Sequence, residues 1–378
     1  MARLALHQTS IMVLRSLIRW PLRSALTALG LGAATAAVIA SGFMFGALER
    51  IIDLAFNQSY RQDAMILFTG DIPQTALIDI GRLPGVMQAE PQQFHAATLI
   101  HGAHEKRVSI EARPPDTELS QIIDTTGHPV TAPPGGILLS DRLARQLNLH
   151  VGETVEAQFH TGRRESHDMV VSGLVAQYFG LGAYVDIDTI DRLFRRSAQM
   201  TVANVQLNPQ ATVDLHAALQ DMPVSAGLIE MTKNRQSFQD TIRENVVVVN
   251  TVYLVIAVLI AVGVAYNAAR ILMSERAREL ASLRIMGFSR AEASLVLVGE
   301  TMLIAVIAQP LGWALGAWIA WALSRGFTSD LYAIPLVLEP ANFAWASLVV
   351  LAASLASVLI VRRQIDRMDL VRVLKTRE

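Results

Sequence analysis

The sequence contains no cysteine. That excludes a disulfide framework, a thiolate nucleophile and any cysteine-bound metal. Charge is also scarce: 17% of residues are charged, against roughly 25% in soluble domains. The net charge of −1 gives no global pull toward nucleic acid, and none is expected as a partner. No Gly-x-x-x-x-Gly-Lys-Ser/Thr run occurs, so any ATP is expected to be bound by another polypeptide, and no cofactor is expected in this chain. No His-Glu-x-x-His or Ser-Lys constellation and no acid inside an apolar run suggests an enzyme. Internal repeats and low-complexity tracts are absent too.

What is present is apolar length. Hydrophobic residues make up 52% of the chain and mean hydropathy is +0.36. A helix needs about 20 apolar residues to cross roughly 30 Å of hydrocarbon. Four uncharged runs meet this, at 25–48, 246–269, 301–323 and 341–361. Glu300 stands at the border of the third. The fold class expected is a membrane α-helical protein with four transmembrane helices and an α+β extracytoplasmic domain of two subdomains. The uncharged spans offer no ion or proton pathway of the usual kind. Asn250, Asn267 and Gln309 are their main strongly polar groups, expected to hydrogen-bond between helices. Gly312 and Gly316 form a small-residue ridge suited to close helix packing.

Basic residues in short loops set orientation. Segment 1–24 carries Arg3, Arg15, Arg19 and Arg23. The loop at 270–300 carries Arg270, Arg276, Arg278, Arg284 and Arg290, and the tail at 362–378 carries Arg362, Arg363, Arg367, Arg372, Lys375 and Arg377. The loop between the third and fourth runs has only Arg325. Both termini are therefore expected in the cytoplasm and 49–244 outside, in a bacterial inner membrane. The first run is too long for a cleaved signal core and reads as an uncleaved anchor. Before it, Leu4, Ile11, Leu14, Leu17 and Ile18 fall near one helical face. That fits either an amphipathic helix lying in the interface or a longer first helix kinked at Pro21.

Segment 49–244 reads as mixed α and β. Met65–Thr69, Thr98–Ile100, Arg107–Glu111 and Val202–Leu207 are strand candidates, and Pro73–Arg82 and Val213–Leu219 are helix candidates. A Pro/Gly-marked stretch at about 114–197 reads as a second lobe inserted into the first. It holds a short helix at Asp141–Leu147 and strands at Thr154–Phe159 and Asp168–Val175. Eight of the nine histidines lie in 49–244, scattered and without metal spacing, and are expected on the solvated surface.

The sharpest signal follows the second span. Glu275 and Arg278, and Arg276 and Glu279, are three apart, a spacing that supports a helix. Leu280, Leu283 and Met286 line another face. Gly287 can end the helix, and Ser289 with Glu292 forms a capping box for the next. The expectation is a short helix, a tight turn and a new helix. Residue physics alone leaves a partner-docking helix and an ordinary loop both open.

The stretch resembles the loop of MacB/FtsX-type ABC transporter permeases. Glu275, Arg276, Glu279, Leu283, Arg284, Gly287 and Ser289 occupy the positions of the family pattern. The segment Leu17–Leu26, the segment Leu138–Thr154 and the tail Asp369–Lys375 resemble the family's start, periplasmic core and end, although proline is usual where Leu370 stands. The resemblance implies that Glu275, Arg276, Arg278, Glu279, Leu283, Arg284, Gly287 and Ser289 form an ATPase-coupling segment. It implies a cytoplasmic ABC ATPase partner, a second permease copy as a homodimer, a periplasmic adaptor and a membrane-lipid setting. It also implies mechanotransmission, in which ATP-driven motion is relayed to the outer domain for export of a hydrophobic or amphiphilic substrate. Lipoprotein release, and an FtsX-like signalling scaffold that activates an envelope hydrolase, are the alternatives.

Overall fold

A computed structural model describes residues 21–162, 164–208, 210, 212–285, 290–327 and 333–366. The amphipathic reading of the first twenty residues and the resemblance in the tail lie outside these. The chain divides into two compact units. One is a helical unit built from residues 1–47, 244–326 and 336–378. The other is an inter-span domain of residues 48–243, joined by 327–335.

The helical unit is formed by α1 (Pro21–Ile52), the membrane part of α6 (Met231–Ile285), α7 (Arg290–Gly326) and α8 (Pro340–Asp366). Four stretches are long and apolar enough to cross a membrane: Pro21–Ser59, Val247–Ser274, Val298–Gly326 and Pro340–Arg363. Proline at the start of α8 suits a helix, since the first N–H groups have no intrahelical acceptor to lose. The contact surfaces are rich in alanine. Ala28, Ala34, Ala261, Ala265, Ala305, Ala308 and Ala353 share one cluster with Leu31, Ile304 and Val350. Small side chains let backbones approach where lipid tails give apolar groups no reason to hide.

The inter-span domain contains two cores. The first lies under β1 (Ala64–Pro73), β10 (Gln199–Leu207), β11 (Ser225–Glu230) and the first half of β2 (Val86–His101), packed by α2 (Leu77–Ile80) and α5 (Thr212–Gln220). Ile66, Ile80, Met200, Val205 and Leu215 fill it.

The second core lies inside a closed ring of strands. The second half of β2 pairs with β3 (His104–Arg113), which pairs with β9 (Ala183–Asp186) and through it β6 (Ile137–Ser140). From there the ring runs through β8 (Ser166–Val175) and β7 (Thr154–Phe159) back to β2. Closure removes every edge from these strands. Leu99, Ile110, Ile137, Leu139 and Phe159 point into the ring together with Leu143 and Leu147 of α3 (Asp141–Leu147). Ser140 caps α3 by accepting from the Leu143 N–H at 3.4 Å, and Asn148 ends it in the left-handed region at φ 53°. Asparagine tolerates that conformation better than most residues.

The ring therefore takes in residues 93–113, which lie before the lobe boundary expected at 114. The reason is β2 itself. Its residues up to Gln92 pair with β10, and from Gln93 onward it pairs with β3 and β7. One strand serves both lobes, so no composition change marks the crossing. Of residues 333–335, the Ala333 N–H donates to the Tyr178 carbonyl at 2.8 Å.

Candidate coupling segment and helix-packing sites

The residues expected to couple to an ATPase lie toward the end of an unusually long element. Helix α6 runs unbroken for 55 residues, about 80 Å at 1.5 Å per residue. Its last turns carry Glu275, Arg276, Arg278, Glu279, Leu283 and Arg284. The separate short helix expected after the span is thus a correction: up to Ile285 it is the continuation of the span helix. The physical cause is plain in the sequence. No glycine or proline stands between Asn267 and Ile285, and Glu, Arg, Ala and Leu dominate, all strong helix formers. Gly287 and Ser289, the expected stop and cap, lie outside the described residues. The next helix, α7, starts at Arg290.

The packing residues fall into three groups. Gly312 and Gly316 of α7 face α1. A Cβ on Gly312 would lie 2.6 Å from the Thr35 Cβ and 2.9 Å from the Gly32 carbonyl oxygen, and one on Gly316 would lie 2.9 Å from the Ile39 Cβ. No side chain fits there without moving backbone. Gln309 and Asn250 reach across helices. The Thr35 hydroxyl donates to Gln309 Oε1 at 3.2 Å, and the Ser41 hydroxyl bonds to Asn250 Oδ1. Asn267, by contrast, is exposed on α6, and among the described residues no hydrogen bond links it to another helix.

Sequence reasoning missed the partners. Thr35 and Ser41 on α1 are small hydroxyls in an apolar run. Trp313 Nε1 donates to the Ser347 hydroxyl at 2.9 Å, and the Ser357 hydroxyl donates to the Val262 carbonyl at 3.0 Å. Glu300 is nearly fully buried, and its Oε1 lies 3.7 Å from Arg23 Nη2.

In the inter-span domain a polar seam separates the two cores. Gln93 Nε2 donates to Asp191 Oδ1 at 3.1 Å and to the Gln199 carbonyl at 2.7 Å, and Asn204 Nδ2 donates to Gln92 Oε1 at 2.7 Å. Arg196 ties the seam together, donating to Gln93 Oε1 at 2.6 Å and to Asp191 Oδ1 at 3.0 Å, and pairing with Asp71.

His95 corrects the expectation of surface histidines. It is 2% exposed, set edge-on against Phe159 and Phe194, with Nε2 2.8 Å from Gln93 Oε1. Burial, reinforced by the Arg196 charge, pushes it down to about 4. The signal was available: His95, Ala97 and Leu99 alternate inward along β2. Among the described residues no group of three or more His, Asp or Glu side chains could hold a metal.

Two families match the chain. The MacB-like periplasmic core domain matches residues 24–221, more than half of the sequence, and the FtsX-like permease C-terminal matches residues 251–370. The periplasmic region of MacB from Actinobacillus actinomycetemcomitans is 11% identical, with a TM-score of 0.32, over 48% of this chain and 94% of that one. The extracellular domain of the noncanonic ABC-type transporter YknZ from Gram-positive bacteria is 14% identical, with a TM-score of 0.27, over 38% of this chain and 83% of that one. No curated protein matches the chain. With both family regions in order along a chain of four apolar spans, this protein belongs to the MacB/FtsX-type ABC transporter permeases.

Proposed function

We propose that the chain is the membrane subunit of an ABC exporter and relays the work of a separate ATPase to its inter-span domain. Permeases of this family are multi-pass membrane proteins that work with an ABC ATPase and are generally not catalysts themselves. The finer reading is that the segment 275–290 seats in that ATPase in the cytoplasm. The inter-span domain then lies outside the inner membrane, and two permease copies act together. The cargo is hydrophobic or amphiphilic and passes to a periplasmic adaptor.

The observation that carries the reading is the continuity of α6. A single helix begins at the inter-span domain, includes the second span and ends in the coupling segment. An unbroken helix passes displacement along its axis, whereas a break or sharp kink would absorb it, and α6 stays helical through Gly263. The packing of α1 against α7 through Gly32, Gly312 and Gly316 adds to this, because close-packed surfaces transmit strain. The sequence has no P-loop and its spans carry no ionisable group in mid-span, which supports a separate motor as the source of work.

The test is Glu279→Lys in the coexpressed complex. The substitution reverses the charge at position 279 without touching a span. The expected outcome is normal membrane insertion with loss of copurified ATPase and of stimulated turnover. Unchanged copurification and turnover would remove the coupling assignment.

A further inference from the structure

The inter-span domain carries a polar cleft of about 190 Å³ that none of the roles above uses. It lies between the link into β1, which supplies Arg61, Gln62 and Asp63, and the first turns of α6, which supply Thr232 and Arg235. The Asp63 carbonyl accepts from the Met231 N–H at 2.8 Å, so the two segments are already stitched together at the cleft.

Three observations point to an anion. The first is cationic surplus. Arg235 is met by the amide oxygen of Asn57 at 3.1 Å, and no acid among the described residues pairs with Arg235 or Arg61. The nearby carboxylates are engaged elsewhere: Asp63 accepts from the Leu207 N–H at 2.9 Å, Glu230 is held by Lys233 and His216, and Asp53 by Asn57 and Gln58. The second is the amino end of a 55-residue helix, whose peptide dipoles favour negative charge. The third is independent of charge. Gln62, in the wall of the cleft, is 3% exposed, and neither its amide nitrogen nor its amide oxygen has a partner. Buried amides are rarely left so. An occupant that relieves both atoms must offer an acceptor and a donor. A carboxylate offers only acceptors, whereas hydrogen phosphate or a phosphate monoester offers both.

We propose that this cleft binds a phosphate-type oxyanion through Arg61 and Arg235, with Gln62 completing the shell. The bound anion bridges the two chain segments by which the domain joins α1 and α6. The anion can come from free phosphate or from the monoester headgroup of phosphatidate.

The experiment uses the full chain purified in detergent. Its thermal midpoint is measured in sodium phosphate and in sodium chloride at equal ionic strength. A saturable upward shift in phosphate is expected for the native chain and its loss in Arg61→Gln/Arg235→Gln, whose midpoint in chloride reports that it still folds. Gln62→Leu is expected to raise the midpoint in chloride and to blunt the phosphate response. A parallel arm titrates delipidated chain with phosphatidate and reads retained lipid by native mass spectrometry. Retention with no phosphate shift assigns the site to the headgroup, and a shift without retention assigns it to free phosphate. The absence of both in the native chain, or equal responses in the double variant, overturns the proposal.

Discussion

Arg23 Nη2 lies 3.7 Å from Glu300 Oε1, and the Glu300 side chain is 2% exposed. The pair joins the first turn of α1 to α7 at the border of the membrane-crossing part of each. A carboxylate so placed is tolerable only while a cation stays near it.

Removing one partner should therefore harm the protein more than removing both. Arg23→Leu alone leaves a buried carboxylate and is expected to lower the thermal midpoint well below that of Arg23→Leu/Glu300→Leu. Breaking buried pairs of this kind typically costs about 3–5 kcal/mol, and replacing both partners with apolar groups is often close to neutral. Unfolding in detergent of the two single variants and the double variant measures this. A double variant as unstable as the sum of the singles would contradict it.

Close packing of α1 on α7 makes a second contrast. At Gly312 a methyl group would meet Thr35 Cβ at 2.6 Å, whereas at Gly263 on α6 it meets nothing within 4 Å. Gly312→Ala is expected to cost about 1–3 kcal/mol through overpacking. Gly263→Ala should be neutral or slightly stabilising, since alanine is the better helix former. Equal effects at the two sites, read from thermal midpoints, would refute the packing geometry.

His95 gives a pH dependence whose sign is fixed. Its folded value near 4 is below the ordinary 6.5, so folding favours the neutral ring. Between those values the unfolded chain binds the extra proton, and stability falls as pH drops from about 6.5 toward 4. The full effect at this 2%-exposed site is about 3 kcal/mol. His95→Gln should flatten that part of the stability curve. An acid limb of the same slope in both proteins would show that His95 does not set it.

Much of the architecture could be read before the structure. The four apolar runs are visible because a bilayer span is long and uncharged. Strand β7 was visible as the alternating Thr154–Phe159, and α3 was visible from its start after Ser140. Strand β2 was harder, and only Thr98–Ile100 stood out. Its first half contains Glu90-Pro91-Gln92-Gln93, where no apolar alternation marks a strand, yet Gln92 and Gln93 are fully buried because Asn204, Asp191 and Gln199 satisfy them. Burial of an amide depends on partners about 100 residues away, which local pattern does not report. The same holds for Gly312. Its place on a small-residue ridge is local, but Thr35 and Gly32 as the surfaces it meets are not. In the stretch 275–285 the charge pairs suggested a helix, and the chain is helical there. The continuity with the span was signalled only by the absence of a breaker, which is easily passed over beside so prominent a Gly287.

The central claim is that the end of α6 and the inter-span domain face opposite sides of the membrane. The chain has no cysteine, so single cysteines can be introduced against a silent background. The decisive measurement labels Arg278→Cys and Asp168→Cys with a membrane-impermeant maleimide in intact spheroplasts and in inverted vesicles. The account predicts that Asp168→Cys reacts only in spheroplasts and Arg278→Cys only in inverted vesicles. Reaction of both from the same side would contradict it.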